Sequence, residues 1–257
     1  MIKNIPIFGK IVKDFDEDIK KYGLQQATKN LVKRHHGKLR IGQLSKNTAY
    51  VLQNKPVIVV GNHPFEIETY AIFASLPKRD DIYLIMSANF VGFLPHLDKH
   101  LIPVFVNHHA VREKASKFSG RVANFIGRTM KFPEKQARLK NKESIEHAAN
   151  KINKGGLVIL FPEGFRGKGG KWFSGIGHLI KKVGHNNDAY VVKAYVHGTS
   201  DLDYLRLIPI INRFLPIVSV YYSEPQKITD ILKKDSEAKI IKDKLETEYN
   251  NWIKKLV

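Results

Sequence analysis

The chain has 257 residues, of which 43 are Lys or Arg and 24 are Asp or Glu, and it contains no cysteine. A chain without cysteine has no disulfide, no thiolate metal site and no cysteine nucleophile. Its formal net charge of +19 predicts affinity for polyanions, namely nucleic acid, an anionic membrane surface or phosphorylated substrates.

The length suits one large α/β domain with a modest appendage, and we divide the chain into an N-terminal segment, 1–45, and a main domain, 46–257. Apolar side chains from Phe8 to Tyr22 recur at helical spacing in the N-terminal segment. They predict an amphipathic helix, which either packs on the core or lies in a membrane interface. No stretch reaches the roughly 18 consecutive apolar residues of a membrane-spanning helix, and no signal peptide is evident. We therefore expect a cytoplasmic protein.

Further along the chain, β-branched runs alternate with helical patterns. Strands are predicted at residues 57–60, 82–86, 104–106, 157–161, 190–196 and 217–222. Helices are predicted at about 64–75, 144–153 and 236–256. Strands separated by helices predict an α/β fold in which helices cover the faces of a sheet.

Residues 110–142 form a basic insert with ten Lys or Arg and two Glu. An apolar face that includes Phe118, Phe125 and Met130 runs through this stretch at helical spacing. The pattern indicates a helix whose charged side is either simply solvated or faces a membrane surface or phosphate groups.

The stretch from Gly61 to Glu68 carries the first candidate site. The predicted strand ends at Gly61, so His63 lies at the carboxyl edge of the sheet, where open α/β sheets bind ligands. Glu68 follows five residues later and can hold the imidazole in one tautomer while His63 removes a proton from a substrate. Glu66 is a rival partner for His63, and a purely structural histidine is the alternative.

A second candidate site follows the strand predicted at 157–161. The loop from Phe161 to Lys171 is rich in glycine and basic residues, so its backbone amides and basic side chains can bind a phosphate, although surface turns share this composition. The sequence contains no P-loop, no dinucleotide-binding fingerprint and no G-x-S-x-G elbow. The adjacent histidines at 35–36 and 108–109 lack metal-ligand spacing.

Taken in order, these stretches resemble the phospholipid and glycerol acyltransferase family, which includes the 1-acylglycerol-3-phosphate acyltransferases. The family's first block, N-H-x-x-x-x-D, is similar to Asn62-His63 followed by Glu68 in the aspartate position. Its block F-P-E-G-T-R-S is similar to residues 161–167, where Phe165 and Gly167 replace Thr and Ser.

Two other blocks of the family align with larger departures. The second block, which ends F-I-D-R or F-I-N-R, aligns with residues 105–108, so that His108 stands in the arginine position. In the fourth block, Lys193 stands in the place of a proline. The resemblance spans about residues 57–225 and includes Ser223-Glu224-Pro225, which is similar to a G-E-P segment of the family.

The resemblance implies a glycerol-3-phosphate acyltransferase-like fold, with a single mixed sheet covered by helices. It implies an O-acyltransferase on the inner face of the cell membrane that acylates a lysophospholipid hydroxyl in phospholipid biosynthesis. The donor is acyl-CoA or acyl-carrier protein as co-substrate, with no metal or other cofactor. His63 is then the general base and Glu68 its support. The implied substrate-binding residues are Asn62, His108, Glu163, Gly164, Arg166, Lys168 and Lys171.

Two alternatives remain at this point. A homologue that binds lysolipid but no longer reacts would also carry these blocks, because Glu68 and His108 depart from the family pattern. A basic nucleic-acid-binding protein would explain the charge, but it does not explain the ordered blocks, and no zinc-finger or RNP signature is evident.

Overall fold

A single mixed β-sheet lies at the centre of the part of the chain that the structure describes. The computed structural model describes residues 6–35, 38–65, 67–105, 133–164, 171–184, 188–200, 202–207, 212, 214–232 and 236–256. The strands are β1 (Leu39–Gln43), β2 (Val57–Gly61), β3 (Ile82–Ser87), β4 (Leu101–Val104), β5 (Leu157–Leu160), β6 (Tyr190–His197), β7 (Val218–Tyr222) and β8 (Gln226–Lys227). The helices are α1 (Pro6–Tyr22), α2 (Leu24–Arg34), α3 (Lys46–Asn54), α4 (Glu68–Ser75), α5 (Glu134–Asn153), α6 (Gly175–Val183), α7 (Ile228–Ile231) and α8 (Ala238–Ile253).

The strand order is β1-β7-β6-β2-β5-β3-β4, and β8 adds to β6. The five strands from β6 to β4 are parallel to one another, whereas β7 and β8 run antiparallel to β6. The predicted fold class, a mixed sheet covered by helices, is therefore confirmed. Because β2 lies between β5 and β6 and is parallel to both, the segments that follow these three strands meet at one edge of the sheet.

Helices cover both faces of the sheet because the central strands are apolar on both sides. Every residue of β2 and β5 is buried. Val57 and Val59 pack in one core cluster with residues of α1 to α4. Ile58 and Val60 pack in a second cluster, on the opposite face, with residues of α5, α6 and α8.

The N-terminal helix predicted from Phe8 to Tyr22 is present as α1, and Phe15 and Ile19 on its apolar face are buried against the first core cluster. The chain reverses at Gly23, whose φ of 79° favours glycine, and continues as α2. His96 fixes α1 to the main body, because its backbone N–H and its Nδ1 atom contact the Asp16 carboxylate at 3.0 and 2.8 Å. Within the described ranges, no helix is long and apolar enough to cross a bilayer.

Some element boundaries differ from the sequence prediction. The strand expected at 104–106 lies at Leu101–Val104, where Pro103 is tolerated because β4 is an edge strand. The N-terminal segment, 1–45, is not helical throughout, since β1 at its end pairs with β7 in the main sheet. Residues 106–132, most of the basic insert, lie outside the described residues, and residues 134–142 form the start of α5.

Helices α6 and α8 approach each other through Gly177. A Cβ atom added there would clash with the carbonyl oxygen of Ala238. We expect Gly177→Ala to lower the free energy of unfolding by about 1–3 kcal/mol, the usual cost of overpacking. Gly175→Ala, in the same helix, is the control, because its added Cβ meets nothing within 4 Å. Urea unfolding followed by circular dichroism gives both values, and equal losses in the two variants would contradict the close approach.

Candidate active site

The candidate site lies at the carboxyl edge of the sheet, where the chain leaves β2. The side chain of Asn62 continues the pairing of β2 with β6, because its Nδ2 donates to the carbonyl of Val196 at 2.9 Å and its Oδ1 accepts from the Val196 N–H at 2.8 Å. Both the nitrogen and the oxygen of the Asn62 side-chain amide are thus hydrogen-bonded to the backbone of Val196. These two hydrogen bonds hold Asn62, the residue that precedes His63, against β6. The contact between Asn62 and substrate that the sequence predicted stays a prediction.

His63 and Glu68 form the predicted pair. The Nδ1 atom of His63 lies 3.2 Å from Oε2 of Glu68, and the two side chains are 15% and 0% exposed. The sequence predicted a helix from about residue 64, but helix α4 begins at Glu68, which places the carboxylate in the first turn of the helix. The other carboxylate oxygen, Oε1, is buried and accepts no hydrogen bond within the described part of the chain. The rival partner Glu66 lies outside the described residues.

The ring of Phe161 packs on the imidazole of His63. The two ring centroids lie 4.6 Å apart at an interplanar angle of 26°, so the rings are stacked. Gly61 makes room for this contact, since a Cβ there would lie 2.9 Å from the Phe161 ring. The first residue of the F-P-E-G block thus limits the orientation of the histidine of the first block, which links the two motifs physically.

The F-P-E-G segment makes a tight turn after β5. The N–H of Gly164 donates to the carbonyl of Phe161 at 3.0 Å, and Gly164 has a φ of 69°, a conformation that favours glycine. The carbonyl of Pro162 accepts from the N–H of Phe173 at 2.8 Å, which holds the far side of the loop. Glu163 lies half-buried on this turn and close enough to Tyr249 of α8 for its charge to help raise the pKa of that phenol.

The other predicted substrate-binding residues are only partly described. Lys171 is exposed, and its charge contributes to lowering the pKa of Asp243 on α8, an effect that comes chiefly from Lys242. Arg166, Lys168 and His108 lie outside the described residues. The structure therefore brings together Asn62, His63, Glu68, Glu163 and Gly164, and phosphate binding by the basic residues stays a prediction.

A buried ion pair near Glu68 was not predicted from the sequence. Asp203 and Arg206 are each 6% exposed, with the Arg206 Nε atom 2.8 Å from the Asp203 carboxylate. Arg206 also donates to the carbonyls of Gly198 and Pro216, which fixes both ends of the connection from β6 to β7. Burial raises the pKa of Asp203 and the nearby Glu68 carboxylate adds to the rise, against the effect of Arg206. No motif marks this pair, because the two residues are only three positions apart and nothing in the sequence shows that folding buries them.

No group of three or more His, Asp or Glu side chains in the described ranges is arranged to hold a metal ion. What the described site offers is an imidazole at hydrogen-bond distance from a fully buried carboxylate, at the ligand-binding edge of the sheet. Such a pair can accept a proton from a hydroxyl and stabilise the imidazolium that forms.

A family model described as Acyltransferase matches residues 43–197, which is more than half of the chain and contains His63, Glu68 and the F-P-E-G turn. The chain belongs to this family and is an acyltransferase, which confirms the resemblance to the phospholipid and glycerol acyltransferases. Its fold is similar to the crystal structure of the 1-acyl-sn-glycerophosphate acyltransferase PlsC from Thermotoga maritima. The two share 17% identity with a TM-score of 0.51, over 98% of this chain and 91% of that chain. A search of curated proteins found no match.

Proposed function

We propose that the protein transfers a fatty acyl group from acyl-CoA or an acyl-carrier protein to a hydroxyl of a lysophospholipid of the 1-acylglycerol-3-phosphate type. The observation that carries the proposal is the 3.2 Å contact between His63 and Glu68 at the carboxyl edge, beside the F-P-E-G turn. The fold shared with a 1-acyl-sn-glycerophosphate acyltransferase supports this choice of acceptor. In this reading the protein serves phospholipid biosynthesis.

The reaction needs one proton acceptor and no covalent intermediate on the protein. The Nδ1 atom of His63 faces Glu68, so Nε2 takes the proton from the acceptor hydroxyl. The hydroxyl oxygen attacks the thioester carbonyl carbon, the new C–O ester bond forms and the C–S bond breaks. The imidazolium then returns its proton to the departing thiolate, which leaves as the thiol. Glu68 holds the imidazole in the productive tautomer and stabilises its protonated form.

Recognition of the acceptor phosphate falls to the basic loop that follows the F-P-E-G turn. Arg166 is the first candidate, because a guanidinium can bind two phosphate oxygens at once. Lys168 and Lys171 add positive charge to the same loop. Glu163 organises the turn or contacts the acceptor, and His108 takes the place of the arginine in the second block.

The experiment that tests the proposal is direct detection of product by mass spectrometry. Purified protein is mixed with lysophosphatidate or another lysolipid, together with long-chain acyl-CoA or acyl-carrier protein. A diacyl product identifies donor and acceptor together. Binding of lysolipid without turnover of any donor would instead favour the catalytically inactive homologue.

We also propose that the protein associates peripherally with the inner face of the cell membrane. The net charge of +19 favours an anionic surface. Exposed apolar side chains follow the carboxyl ends of β3, β5 and β6, the edge that carries His63; they are Phe90, Val91, Phe173, Leu202 and Phe214. A bilayer that contacted this edge would present its lipids directly to the His63–Glu68 pair.

We expect the protein to pellet with vesicles that contain phosphatidylglycerol and to be released by salt, because salt screens the attraction between charges. Phe173→Ala with Phe214→Ala is expected to weaken binding roughly tenfold, since these rings are 65% and 85% exposed and insert most readily. Tyr50→Ala is the matched control, because Tyr50 is also exposed but lies near Lys55 at the opposite edge. Equal binding to pure phosphatidylcholine vesicles would contradict the electrostatic part of the proposal.

A further inference from the structure

An aromatic and basic surface lies on one face of the sheet, where β6, β7 and β1 run side by side. Alternate residues of these strands, among them Val196, Val220 and Leu39, pack in the first core cluster. Because side chains alternate along a strand, the residues next to them point to the opposite face. These residues, which we call the tyrosine face, are Arg40, Gly42, Tyr195, His197, Ser219 and Tyr221.

The register of the strands arranges the tyrosine face in two rows. In one row, Tyr195 is paired with Tyr221. In the other row, two residues further along the strands, Ser219 is paired with His197 on one side and with Arg40 on the other. Neighbouring strands lie about 4.8 Å apart, so the Cα atoms of the two basic residues are separated by about 10 Å. Two aromatic rings thus lie beside a gap that is flanked by a guanidinium and an imidazole.

The absence of a side chain at Gly42 lets the ring of Tyr221 lie across β1. A Cβ atom added at Gly42 would clash with this ring, so the ring occupies the space that a side chain would fill. On the neighbouring strand, the ring centroid of Tyr195 lies 6.2 Å from that of His197 at an interplanar angle of 37°. Both tyrosines are only partly buried. Aromatic rings that remain open to solvent on a sheet can stack on a flat ring of a ligand, above all on a nucleic-acid base.

The charges of the tyrosine face suit an anion. Arg40 and His197 are exposed, and neither forms an ion pair within the described part of the chain. Glu248 of α8 approaches β6 on this face, but its carboxylate is paired with Lys193 at 3.4 Å and with Lys244 at 3.9 Å. A guanidinium and an imidazole N–H without carboxylate partners can both donate hydrogen bonds to phosphate oxygens.

We propose that the tyrosine face binds the nucleotide end of coenzyme A, with the adenine ring stacked on the two tyrosines and a phosphate group between Arg40 and His197. This inference rests on the proposed function, and it names acyl-CoA as the donor of that reaction. An acyl-carrier protein holds its acyl group on a phosphopantetheine arm that has no nucleotide, so it would make no use of this face.

The position of the tyrosine face also supports a donor site. Val196 lies between Tyr195 and His197 in β6. Its backbone binds the side chain of Asn62 at 2.8 and 2.9 Å, and Asn62 directly precedes His63. A nucleotide on this face is therefore next to the segment that carries the general base. The flexible pantetheine arm then brings the thioester around the edge of the sheet to the imidazole.

Calorimetric titration of the full chain with coenzyme A tests the proposal without any need for turnover. Arg40→Ala is expected to weaken binding roughly tenfold, because it removes a charge-assisted hydrogen bond to phosphate. Gly42→Ala is expected to weaken binding roughly fivefold, since the added Cβ displaces the Tyr221 ring on which the base stacks. Lys154→Ala is the matched control for charge and should bind as wild type does. Lys154 is exposed and precedes β5, so it lies at the opposite edge of the sheet.

Three results would overturn the proposal. The first is no binding of coenzyme A by the wild-type protein. The second is an equal loss of affinity in Arg40→Ala and in Lys154→Ala, which would reduce the effect to net charge. The third is binding of ATP or of a short single-stranded RNA as tight as that of coenzyme A, which would indicate a general nucleotide or nucleic-acid surface. Circular dichroism of each variant confirms that it is folded.

Kinetics separate this inference from the proposed function. With acyl-CoA as donor, Arg40→Ala should raise the KM for the donor roughly tenfold and leave kcat near wild type, whereas the KM for an acyl-carrier protein should not change. If no product forms with any donor and acceptor, the proposed function fails, and the titration with coenzyme A still tests the tyrosine face. If product forms from acyl-carrier protein alone and coenzyme A does not bind, the proposed function stands and this inference fails.

Discussion

Replacing His63 with alanine is expected to reduce acyl transfer by about 10²- to 10⁴-fold, the usual contribution of a positioned general base. His63 is the imidazole that the structure places against the fully buried Glu68 carboxylate, so its removal leaves the candidate site without this proton acceptor. The rate of diacyl product formation, at saturating donor and acceptor, measures the effect.

Loss of activity must be separated from loss of folding, because the His63 ring packs on Phe161. His63→Gln keeps a polar side chain of similar size and should be as inactive as His63→Ala, with a smaller change in melting temperature. His147→Ala removes an exposed histidine on α5 and should keep wild-type turnover. A His63 variant that turns over at the wild-type rate would exclude the histidine as the base.

Glu68→Gln is expected to have the second largest effect. It preserves the size of the side chain but removes the charge that stabilises the imidazolium and selects the tautomer. In Ser-His-Asp sites, the equivalent loss of charge lowers kcat by about 10⁴-fold, and we expect a fall of roughly 10²- to 10⁴-fold here. Steady-state kinetics on the purified variant give the value.

The Glu68→Asp variant separates the effect of the carboxylate charge from the effect of side-chain length. It keeps the carboxylate but draws it back by one C–C bond, about 1.5 Å. The Glu68 side chain already reaches His63 at 3.2 Å, so this chain is built for the longer residue even though its family carries aspartate. We expect Glu68→Asp to retain more activity than Glu68→Gln and less than wild type. An aspartate variant faster than wild type would show that the glutamate weakens the pair.

The sequence predicts best what depends on local pattern. The strands β2 and β5 are continuous apolar runs that end in glycine or a turn, so their place and their burial follow from the residues themselves. The pairing of His63 with Glu68 was predictable because only five positions separate the two residues in the sequence. The edge strand β4 was displaced in the prediction because Pro103 interrupts its pattern, and only the strand order shows why proline is allowed there.

Sequence patterns could not predict the tertiary contacts that hold the residues of the site in place. Tyr249 lies in the helix predicted at 236–256, and nothing in that pattern indicates that its hydroxyl reaches the carbonyl of Ala194 in β6. Asp203 and Arg206 are an ordinary charged pair until folding buries them near Glu68. Asn62 carries a family motif, but its partner Val196 is known only once β2 and β6 are neighbours.

The position of β2 between β5 and β6 also governs when the enzyme becomes active during its own synthesis. Val196, which holds Asn62, is synthesised 134 residues after Asn62 and therefore also after His63 and Glu68. Contacts of such long sequence separation close large loops and form slowly. A nascent chain therefore carries His63 and Glu68 without a competent site until β6 has been synthesised. Catalytic activity is for this reason a stricter measure of completed folding in this protein than helix content.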